Sequence, residues 1–297
     1  MTKQGPWANR RALRQRLREG AVLAAVGVFD ALGAKVAANA GAEALYLGGF
    51  SAAAAHGLPD LGLLTQTEMT EHVARICQAC PDRPLLVDAD TGFGGPLNVT
   101  RTVTLFEAAG ASAVQIEDQA WPKRCGHLDG KAVIAPAEMA AKLAAALAAR
   151  RDPELMIVAR TDALAVEGLA GAMERAHIYA QAGADALFVD APKSAWELQH
   201  IADALLPLGL PLVFNAAPTG RGPAISRSQA AALGFRIVLH PVELLLAAYR
   251  AVEHAAAQLM ADEAGPSIGP QSGPSSFDAV NQLLGVSRSL AAIDMHI

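Results

Sequence analysis

The feature that most constrains the fold is an alternation that runs along almost the whole chain. Short runs rich in Val, Ile and Leu alternate with alanine-rich segments that carry charges at helical spacing. The apolar runs favour buried strands and the alanine-rich segments favour amphipathic helices. The phrases Ala109-Gly110-Ala111 and Ala182-Gly183-Ala184 predict helices that end at a glycine and run directly into a strand. This alternation predicts a parallel sheet covered by helices.

We predict eight strands, at Val22–Val28, Ala44–Leu47, Leu85–Val87, Ala113–Ile116, Met156–Ala159, Ala186–Val189, Leu212–Phe214 and Arg236–Leu239. We predict helices at Leu32–Ala40, Thr67–Ala79, Asn98–Ala109, Ala137–Arg150, Leu169–Ala182, Ala195–Leu205, Ser226–Leu233 and Val242–Asp262.

Eight strand–helix units within 297 residues fit an α/β fold of the (β/α)₈ TIM-barrel type, which takes about 250 residues. A doubly wound sheet is the alternative, but no G-x-G-x-x-G follows the first strand. We predict a barrel domain over residues 1–262 and an extension over residues 263–297. In the extension, Gly265 to Ser276 reads as a linker, and the amphipathic segment Phe277 to Leu290 is predicted to dock on a neighbouring subunit.

Composition bears on partners and cellular setting. The chain is 52% hydrophobic and 18% charged, with a net charge of −5 and no basic block, so we expect neither nucleic acid nor a membrane surface as a partner. The polar, arginine-rich N-terminus has no apolar core of a secretory signal. Three cysteines are typical of a reduced, cytoplasmic protein, and we interpret Cys77-x-x-Cys80 as a packing pair on one helix.

Carboxylates gather where the predicted strands end. Asp88 and Asp90 follow the third strand, Glu117 ends the fourth, and Asp60 lies in the loop after the second. Catalytic groups of such barrels project from the carboxyl ends of the strands. Four carboxylates at one mouth would repel each other without a cation, and their hard oxygen atoms suit Mg²⁺, with Mn²⁺ as an alternative. The competing interpretation is that each aspartate caps the next helix.

Other strand ends carry groups that can bind an anion. Arg160 follows the fifth strand, where its planar guanidinium could hold a substrate carboxylate, although a surface ion pair is the alternative. Asn215 ends the seventh strand, and His240 after the eighth is more typical of a capping or core residue. Arginine and lysine beside a metal predict an anionic substrate, a di- or tricarboxylate.

The loop Trp121 to Lys131 brings one thiol, Cys125, together with Lys123, Arg124 and His127. Neighbouring cations hold a thiol toward thiolate, and glycines at Gly126 and Gly130 allow sharp turns. This loop therefore indicates reactive chemistry.

Five motifs together carry a resemblance to a known family. They are Gly57-Leu58-Pro59-Asp60-Leu61-Gly62, Val87-Asp88-Ala89-Asp90-Thr91-Gly92-Phe93-Gly94, Ile116-Glu117-Asp118-Gln119, Pro122-Lys123-Arg124-Cys125-Gly126-His127 and Ala159-Arg160-Thr161-Asp162-Ala163. The chain resembles the isocitrate lyase and phosphoenolpyruvate mutase superfamily from about Arg11 to its last segment. The cysteine loop is similar to that of the carbon–carbon lyase branch, whereas the superfamily's phosphonate mutases and oxaloacetate decarboxylases generally lack the cysteine.

The resemblance implies a Mg²⁺-dependent barrel, usually a homotetramer whose C-terminal helices are exchanged between subunits, with a gating loop that closes over the substrate. It implies that Asp88 binds Mg²⁺ directly, while three other carboxylates act through its waters: Asp60, Asp90 and Glu117. Arg160 would hold one substrate carboxylate, and the backbone amides of Gly48 and Gly49, near Tyr46, another.

The implied reaction is cleavage of a 2-hydroxy di- or tricarboxylate, of the 2-methylisocitrate or dimethylmalate type, into a 2-oxo acid and a second carboxylate. Cys125 would protonate the aci-carboxylate (enolate) intermediate as general acid. Lys123, Arg124 and His127 would tune the thiol and stabilise charge. Tyr46 is counted with the catalytic residues.

Three positions depart from the lyase pattern: Gly48 stands where a serine is usual, Asp190 where a glutamate is usual, and Pro218 where a glutamate is usual. We predict that Gly48 and Asp190 bind the substrate together with Gly49 and Asn215. The departures predict retained chemistry on a changed substrate. Alternatives are an oxaloacetate hydrolase or decarboxylase, a carboxyphosphonate-type phosphonomutase, and a barrel that binds a dicarboxylate without turnover.

Overall fold

Eight parallel strands close into a barrel in chain order in the computed structural model, which describes residues 5–126, 130–218, 222–261 and 277–286. The strands are β1 (Leu23–Gly27), β2 (Ala44–Leu47), β3 (Leu85–Asp88), β4 (Ala113–Glu117), β5 (Met156–Thr161), β6 (Ala186–Val189), β7 (Leu212–Asn215) and β8 (Ile237–His240). β1 also pairs with β8, which closes the sheet. The predicted (β/α)₈ barrel is confirmed.

Eleven helices lie within the described residues. They are α1 (Pro6–Arg18), α2 (Ala31–Asn39), α3 (Gly49–Ala55), α4 (Gln66–Ala79), α5 (Pro96–Ala109), α6 (Pro136–Ala149), α7 (Leu164–Gln181), α8 (Ala195–Leu205), α9 (Arg227–Ala232), α10 (Glu243–Ala261) and α11 (Phe277–Leu284).

Two helices were not predicted from the sequence. α1 is rich in arginine and buries only a narrow stripe that includes Leu13 and Leu17, so its hydrophobic pattern is weak. α3 begins at Gly49 directly after another glycine, a pair that usually marks a turn. α7 was predicted to begin at Leu169, whereas it begins at Leu164. Gly168, with a φ of 73°, interrupts the helix directly before the predicted start.

Two layers of apolar side chains make up the core. One layer lies between the strands and the surrounding helices. The other fills the barrel with alternate residues of the strands, such as Leu23 and Ala25 of β1, and it includes Leu13 and Leu17 of α1. α1 therefore covers the amino ends of the strands and leaves the carboxyl ends for the site.

The chain divides into two compact units, residues 1–244 and 245–297. The predicted boundary at residue 262 and the predicted exchange of C-terminal helices between subunits stay predictions. Within the described ranges, no helix combines the length and the apolar character that a membrane span requires.

Candidate active site

Asp88 is the buried last residue of β3, and its carboxylate is surrounded by polar groups. Its Oδ1 accepts a hydrogen bond from the backbone N–H of Asp90 at 3.1 Å. Its Oδ2 lies 3.4 Å from the Tyr46 hydroxyl and 3.4 Å from the Gly49 backbone nitrogen. Burial, followed by the negative charge of Asp88, raises the pKa of Tyr46 well above its ordinary value. The Tyr46 phenol is therefore neutral and can donate a hydrogen bond.

Lys123 reaches into the space between the loops that follow β2 and β3. Its ammonium group forms ion pairs with Asp60 and, at 2.7 Å, with Asp90 Oδ1. Burial raises the pKa of Asp90 to about 7, although the Lys123 charge opposes the shift. Burial works against the charged form of Lys123 too, but Asp90, Glu117 and Asp60 together raise the pKa of Lys123 above its ordinary value. The lysine thus supplies positive charge inside a carboxylate cluster.

Glu117, at the end of β4, completes this cluster. Its Oε2 lies 3.3 Å from Arg160 Nε, whereas its Oε1 is buried and finds no hydrogen-bond partner among the described residues. Burial raises the pKa of Glu117 well above its ordinary value. A buried carboxylate oxygen without a partner is costly, and a metal-bound water would satisfy it.

The carboxylate cluster suits a metal ion that is bound largely through water. Among the described residues, no group of three or more His, Cys, Asp or Glu side chains is arranged to hold an ion directly. Mg²⁺, however, is usually bound through one or two carboxylates and keeps several waters. The all-oxygen donor set and the unpartnered Glu117 Oε1 fit that mode, with Asp88 as the direct ligand. Asp60, Asp88, Asp90 and Glu117 cap no helix in the structure, unlike Asp30, which caps α2.

Arg160, at the β5 end of the site, is buried and heavily paired. Its Nε and Nη2 form a two-pronged ion pair with Asp162, at 2.9 and 3.0 Å, and Nη2 also binds Asp190 at 2.7 Å. Its Nη1 lies 4.0 Å from Asp88 Oδ2, and its guanidinium lies over the Phe188 ring at 5.4 Å. Nε thus contacts the Glu117 end of the carboxylate cluster, and Nη1 faces Asp88. The surface ion pair considered from the sequence is wrong.

Asp162 was missed as a functional residue although it belongs to a quoted motif. Burial would raise its pKa, but Arg160 and Lys131 together lower the pKa of Asp162 to about 2. Its backbone N–H donates to the buried carboxylate of Asp118, which also accepts from Thr161 and Tyr179. Residues 160 and 162 share one side of an extended strand, and this spacing could have revealed the pair.

We call the described residues of the cysteine loop, 121–126 and 130–131, the lid. Its two ends are paired, since Ala120 N donates to Ala132 O at 2.8 Å and Ile134 N donates to Asp118 O at 2.9 Å. Inside the mouth, Gly126 lies so close to Asp190 and Arg160 that a Cβ atom there would overlap both side chains. Lys123 is buried and Cys125 is half-buried, whereas Arg124 is exposed. The described part of the lid therefore covers the site.

The remaining predicted residues fall in different places. Asn215 Nδ2 lies 3.4 Å from Asp190 Oδ1, so both line the site beside Arg160. A Cβ atom at Gly48 would lie 2.9 Å from the Tyr46 ring, so a serine there would require the ring to shift. Pro218 is exposed. His127 lies outside the described residues.

His240 and the pair Cys77 and Cys80 were predicted to have structural roles. His240 binds Glu243 at 3.0 Å in the first turn of α10, as expected of a capping residue. Cys77 and Cys80 are free thiols, and Cys77 packs against Gly110. Burial raises the pKa of Cys77 to about 12, so it is unsuited to redox or metal chemistry.

The chain is similar to proteins of one known family. The family described as Phosphoenolpyruvate phosphomutase matches residues 13–260. A 2-methylisocitrate lyase of Halalkalibacterium halodurans is 44% identical over 256 residues, 86% of this chain and 83% of the relative. A 2,3-dimethylmalate lyase of Eubacterium barkeri is 36% identical and covers 93% of this chain and 94% of its own length.

Solved structures agree. An oxaloacetate acetylhydrolase in complex with 3,3-difluorooxalacetate superposes with a TM-score of 0.91 at 30% identity, covering 99% of this chain and 98% of its own. A phosphonopyruvate hydrolase in complex with oxalate and Mg²⁺ has a TM-score of 0.85 at 32% identity, covering 95% and 97%. The chain belongs to the phosphoenolpyruvate mutase and isocitrate lyase superfamily. With the lyases among its relatives, the prediction of a carbon–carbon lyase is confirmed.

Proposed function

We propose that the substrate is a 2-hydroxy di- or tricarboxylate of the 2-methylisocitrate or dimethylmalate type, cleaved into a 2-oxo acid and a second carboxylate. The observation that carries the proposal is the position of the lid, which places Lys123 in the carboxylate cluster and Gly126 against Arg160 and Asp190. Cys125 lies between these two anchored residues. We propose that the thiol acts from this position on a substrate bound beside Arg160 and the carboxylate cluster.

Each polar group of the site has its own proposed role in this reaction. Arg160 Nη1 and the Gly49 amide are the donors for substrate carboxylates, with Asn215 and Asp190 beside them. Cys125 gives a proton to the carbanion left by bond cleavage, and the lid excludes water from that carbanion. Arg124 and His127 add positive charge near the thiol. The neutral Tyr46 hydroxyl donates to the oxygen atoms near Asp88.

Mg²⁺, held by Asp88 directly and by Asp60, Asp90 and Glu117 through water, would supply Lewis-acid stabilisation of the negative charge that develops on substrate oxygens. Mn²⁺ would fill the same role. Lys123 balances part of the carboxylate charge, and its ion pairs with Asp60 and Asp90 join the lid to the residues that would bind the metal.

A substrate panel tests this function. Purified protein with Mg²⁺ is incubated with 2-methylisocitrate, isocitrate, 2,3-dimethylmalate, citramalate or oxaloacetate, and 2-oxo acid formation is followed. We expect turnover of a branched 2-hydroxy acid, lost with chelator and reduced at least about a thousandfold in Cys125→Ser. Cys77→Ser is the matched control, because Cys77 lies on α4 against Gly110, and it should keep activity.

Oxaloacetate hydrolysis is the second candidate, favoured by the TM-score of 0.91 to the oxaloacetate acetylhydrolase. Turnover of oxaloacetate without turnover of any branched 2-hydroxy acid would establish it in place of the lyase reaction. Hydrolysis of oxaloacetate also breaks a carbon–carbon bond and leaves a carbanion to be protonated, so the cysteine loop suits both reactions, and the named lyases among the relatives favour the lyase.

We also propose a cytoplasmic homotetramer with exchanged C-terminal helices. In its support, α10 has no buried residue and exposes Tyr249, Val252 and Met260 to solvent in the single chain. An apolar helix face of this kind requires another surface to cover it. Light scattering should give a tetramer mass, and Val252→Glu should lower that mass. A monomeric wild-type protein would contradict the proposal.

A further inference from the structure

Two side chains from the base of the lid bind the backbone on either side of Cys125. The Gln119 side chain pairs with both polar groups of one residue, because its Oε1 accepts from Arg124 N at 2.9 Å and its Nε2 donates to Arg124 O at 2.8 Å. Lys131 Nζ donates to Gly126 O at 2.6 Å. The residues before and after Cys125 are thus both held.

The Gln119 and Lys131 side chains are buried, and each is held in place by further contacts. Gln119 is 1% exposed and pairs with Val133 in an isolated antiparallel bridge at the paired ends of the lid. Lys131 Nζ also binds Asp162 Oδ1 at 2.9 Å, and the Lys131 side chain is 3% exposed. Asp162 in turn holds Arg160 through two hydrogen bonds. Lys131 therefore ties the backbone next to Cys125 to the carboxylate that orients Arg160.

Such hydrogen bonds matter most when the bound group must be placed accurately. A buried lysine loses hydration, and here Asp162 compensates its charge while the Gly126 carbonyl accepts a second of its N–H donors. The amide of Gln119 mimics one rung of a β-ladder and so fixes the orientation of the Arg124 peptide groups. A mobile loop without these contacts would spend most of its time away from the mouth.

We propose that Gln119 and Lys131 are positioning residues that hold the lid closed and set Cys125 over the substrate site. The assignment rests on the proposed function insofar as it gives Cys125 a proton to deliver. The closed position of the lid can be measured without any turnover. The positioning role of Gln119 and Lys131 and the proposed function can therefore be disproved independently of each other.

Limited proteolysis measures lid opening directly. Trypsin can cut after Lys123 only when the lid leaves the mouth, because the Lys123 side chain is buried in the closed position. We expect Lys131→Met and Gln119→Leu to be cut at this bond about tenfold faster than the wild-type protein, as identified by mass spectrometry. The melting temperature of Gln119→Leu should stay within about 2 °C of the wild-type value. Lys131→Met removes one partner of the buried Asp162 carboxylate and should lower the melting temperature, which the control below separates from lid opening. Gln119→Glu, which keeps the acceptor and loses the donor, should give an intermediate rate.

Arg14→Met is the matched control. Arg14 likewise donates to two backbone carbonyls, Glu154 O and Leu155 O, and binds Asp185, but it does so at the opposite end of the barrel. It should lower the melting temperature and leave lid cleavage unchanged. If Arg14→Met accelerates lid cleavage as much as Lys131→Met, the effect is general destabilisation and the proposal is overturned.

A second measurement reports on the thiol itself. Alkylation of Cys125 by iodoacetamide, followed on its own peptide, should accelerate in Lys131→Met and Gln119→Leu together with lid cleavage. Unchanged cleavage and unchanged alkylation in both variants would overturn the proposal. Wild-type protein that forms no 2-oxo acid would instead overturn the proposed function, whatever the lid variants show. In an active lyase, both variants should lower kcat more than they change KM.

Discussion

A glycine at position 49 leaves the space in which the carboxylates of the site meet. A Cβ atom there would lie 2.8 Å from Asp90 Oδ1, 3.1 Å from Lys123 Nζ and 3.3 Å from Asp60 Oδ1. The contact with Asp90 is too short for carbon and the other two are tight, so the Asp90 carboxylate would have to move. The backbone itself tolerates alanine, because Gly49 begins helix α3 without a positive φ.

We therefore predict that Gly49→Ala weakens Mg²⁺ or Mn²⁺ binding at least about tenfold, because the carboxylates are displaced. Titration calorimetry on the purified protein provides the measurement. Gly95→Ala is the matched control, since a Cβ atom at Gly95 meets nothing within 4 Å. Equal metal affinity in Gly49→Ala and the wild-type protein would show that the metal binds elsewhere.

The elevated pKa of Asp90, about 7, predicts a pH dependence for the metal-free protein. Unfolded aspartate titrates near pH 4, so the folded state holds an extra proton between about pH 4 and 7. A raised pKa means that this group's contribution to the free energy of unfolding decreases as the pH rises through that window. Above pH 7 the contribution is constant.

Urea denaturation in chelator at pH 5 and pH 8 checks the sign. The loss of stability from pH 5 to pH 8 should be smaller in Asp90→Asn than in the wild-type protein, because asparagine does not titrate. Asparagine also tolerates the positive φ of 48° at this position. An identical loss in both proteins would mean that Asp90 titrates normally in the folded state.

The closed position of the lid depends on Gly126, a residue without a side chain. Gly126 lies against Asp190 and Arg160, and a methyl group there would overlap both. Gly126→Ala should therefore keep the lid from seating and lower kcat/KM about a hundredfold, because Cys125 no longer reaches the substrate. Steady-state kinetics on the active substrate, with Gly95→Ala as control, gives the answer. Full activity of Gly126→Ala would show that Gly126 is not seated against Arg160 during turnover.

Elements with strong local patterns could be predicted, and those without could not. All eight strands were predicted to within a few residues, because each is a compact apolar run bounded by turn residues. α1 and α3 were missed because their helical state depends on what they pack against. In α1 the decisive residue is Arg10, whose buried charge gives no apolar signal.

Arg10 holds α1 against the end of the barrel where the strands begin. It is 1% exposed, donates to Ala111 O at 2.8 Å and Glu107 O at 2.6 Å, and binds Asp152 at 3.1 Å. Glu107 lies in the last turn of α5, Ala111 in the α5–β4 connection and Asp152 in the α6–β5 connection, at the amino ends of the strands. One side chain thus closes the end of the barrel that lies opposite the site.

Arg10→Met should lower the free energy of unfolding by about 3 kcal/mol, because Asp152 and two backbone carbonyls lose a buried partner. Arg11→Met is the control, since Arg11 is exposed on the same helix, and it should change stability by less than about 0.5 kcal/mol. Urea denaturation of the two variants and the wild-type protein measures both values. Similar losses in both variants would mean that α1 is held by its apolar face alone.

The sequence by itself determined the barrel and the residues at the ends of its strands. Strand–helix alternation and the position of Asp88, Glu117 or Arg160 after an apolar run are local properties, and parallel topology then brings the strand ends together. Only the tertiary structure decided how these groups pair. That Lys123 enters the carboxylate cluster and that Lys131 and Asp162 link the lid to Arg160 depend on distances across the barrel mouth, and nothing in the local sequence encodes those distances.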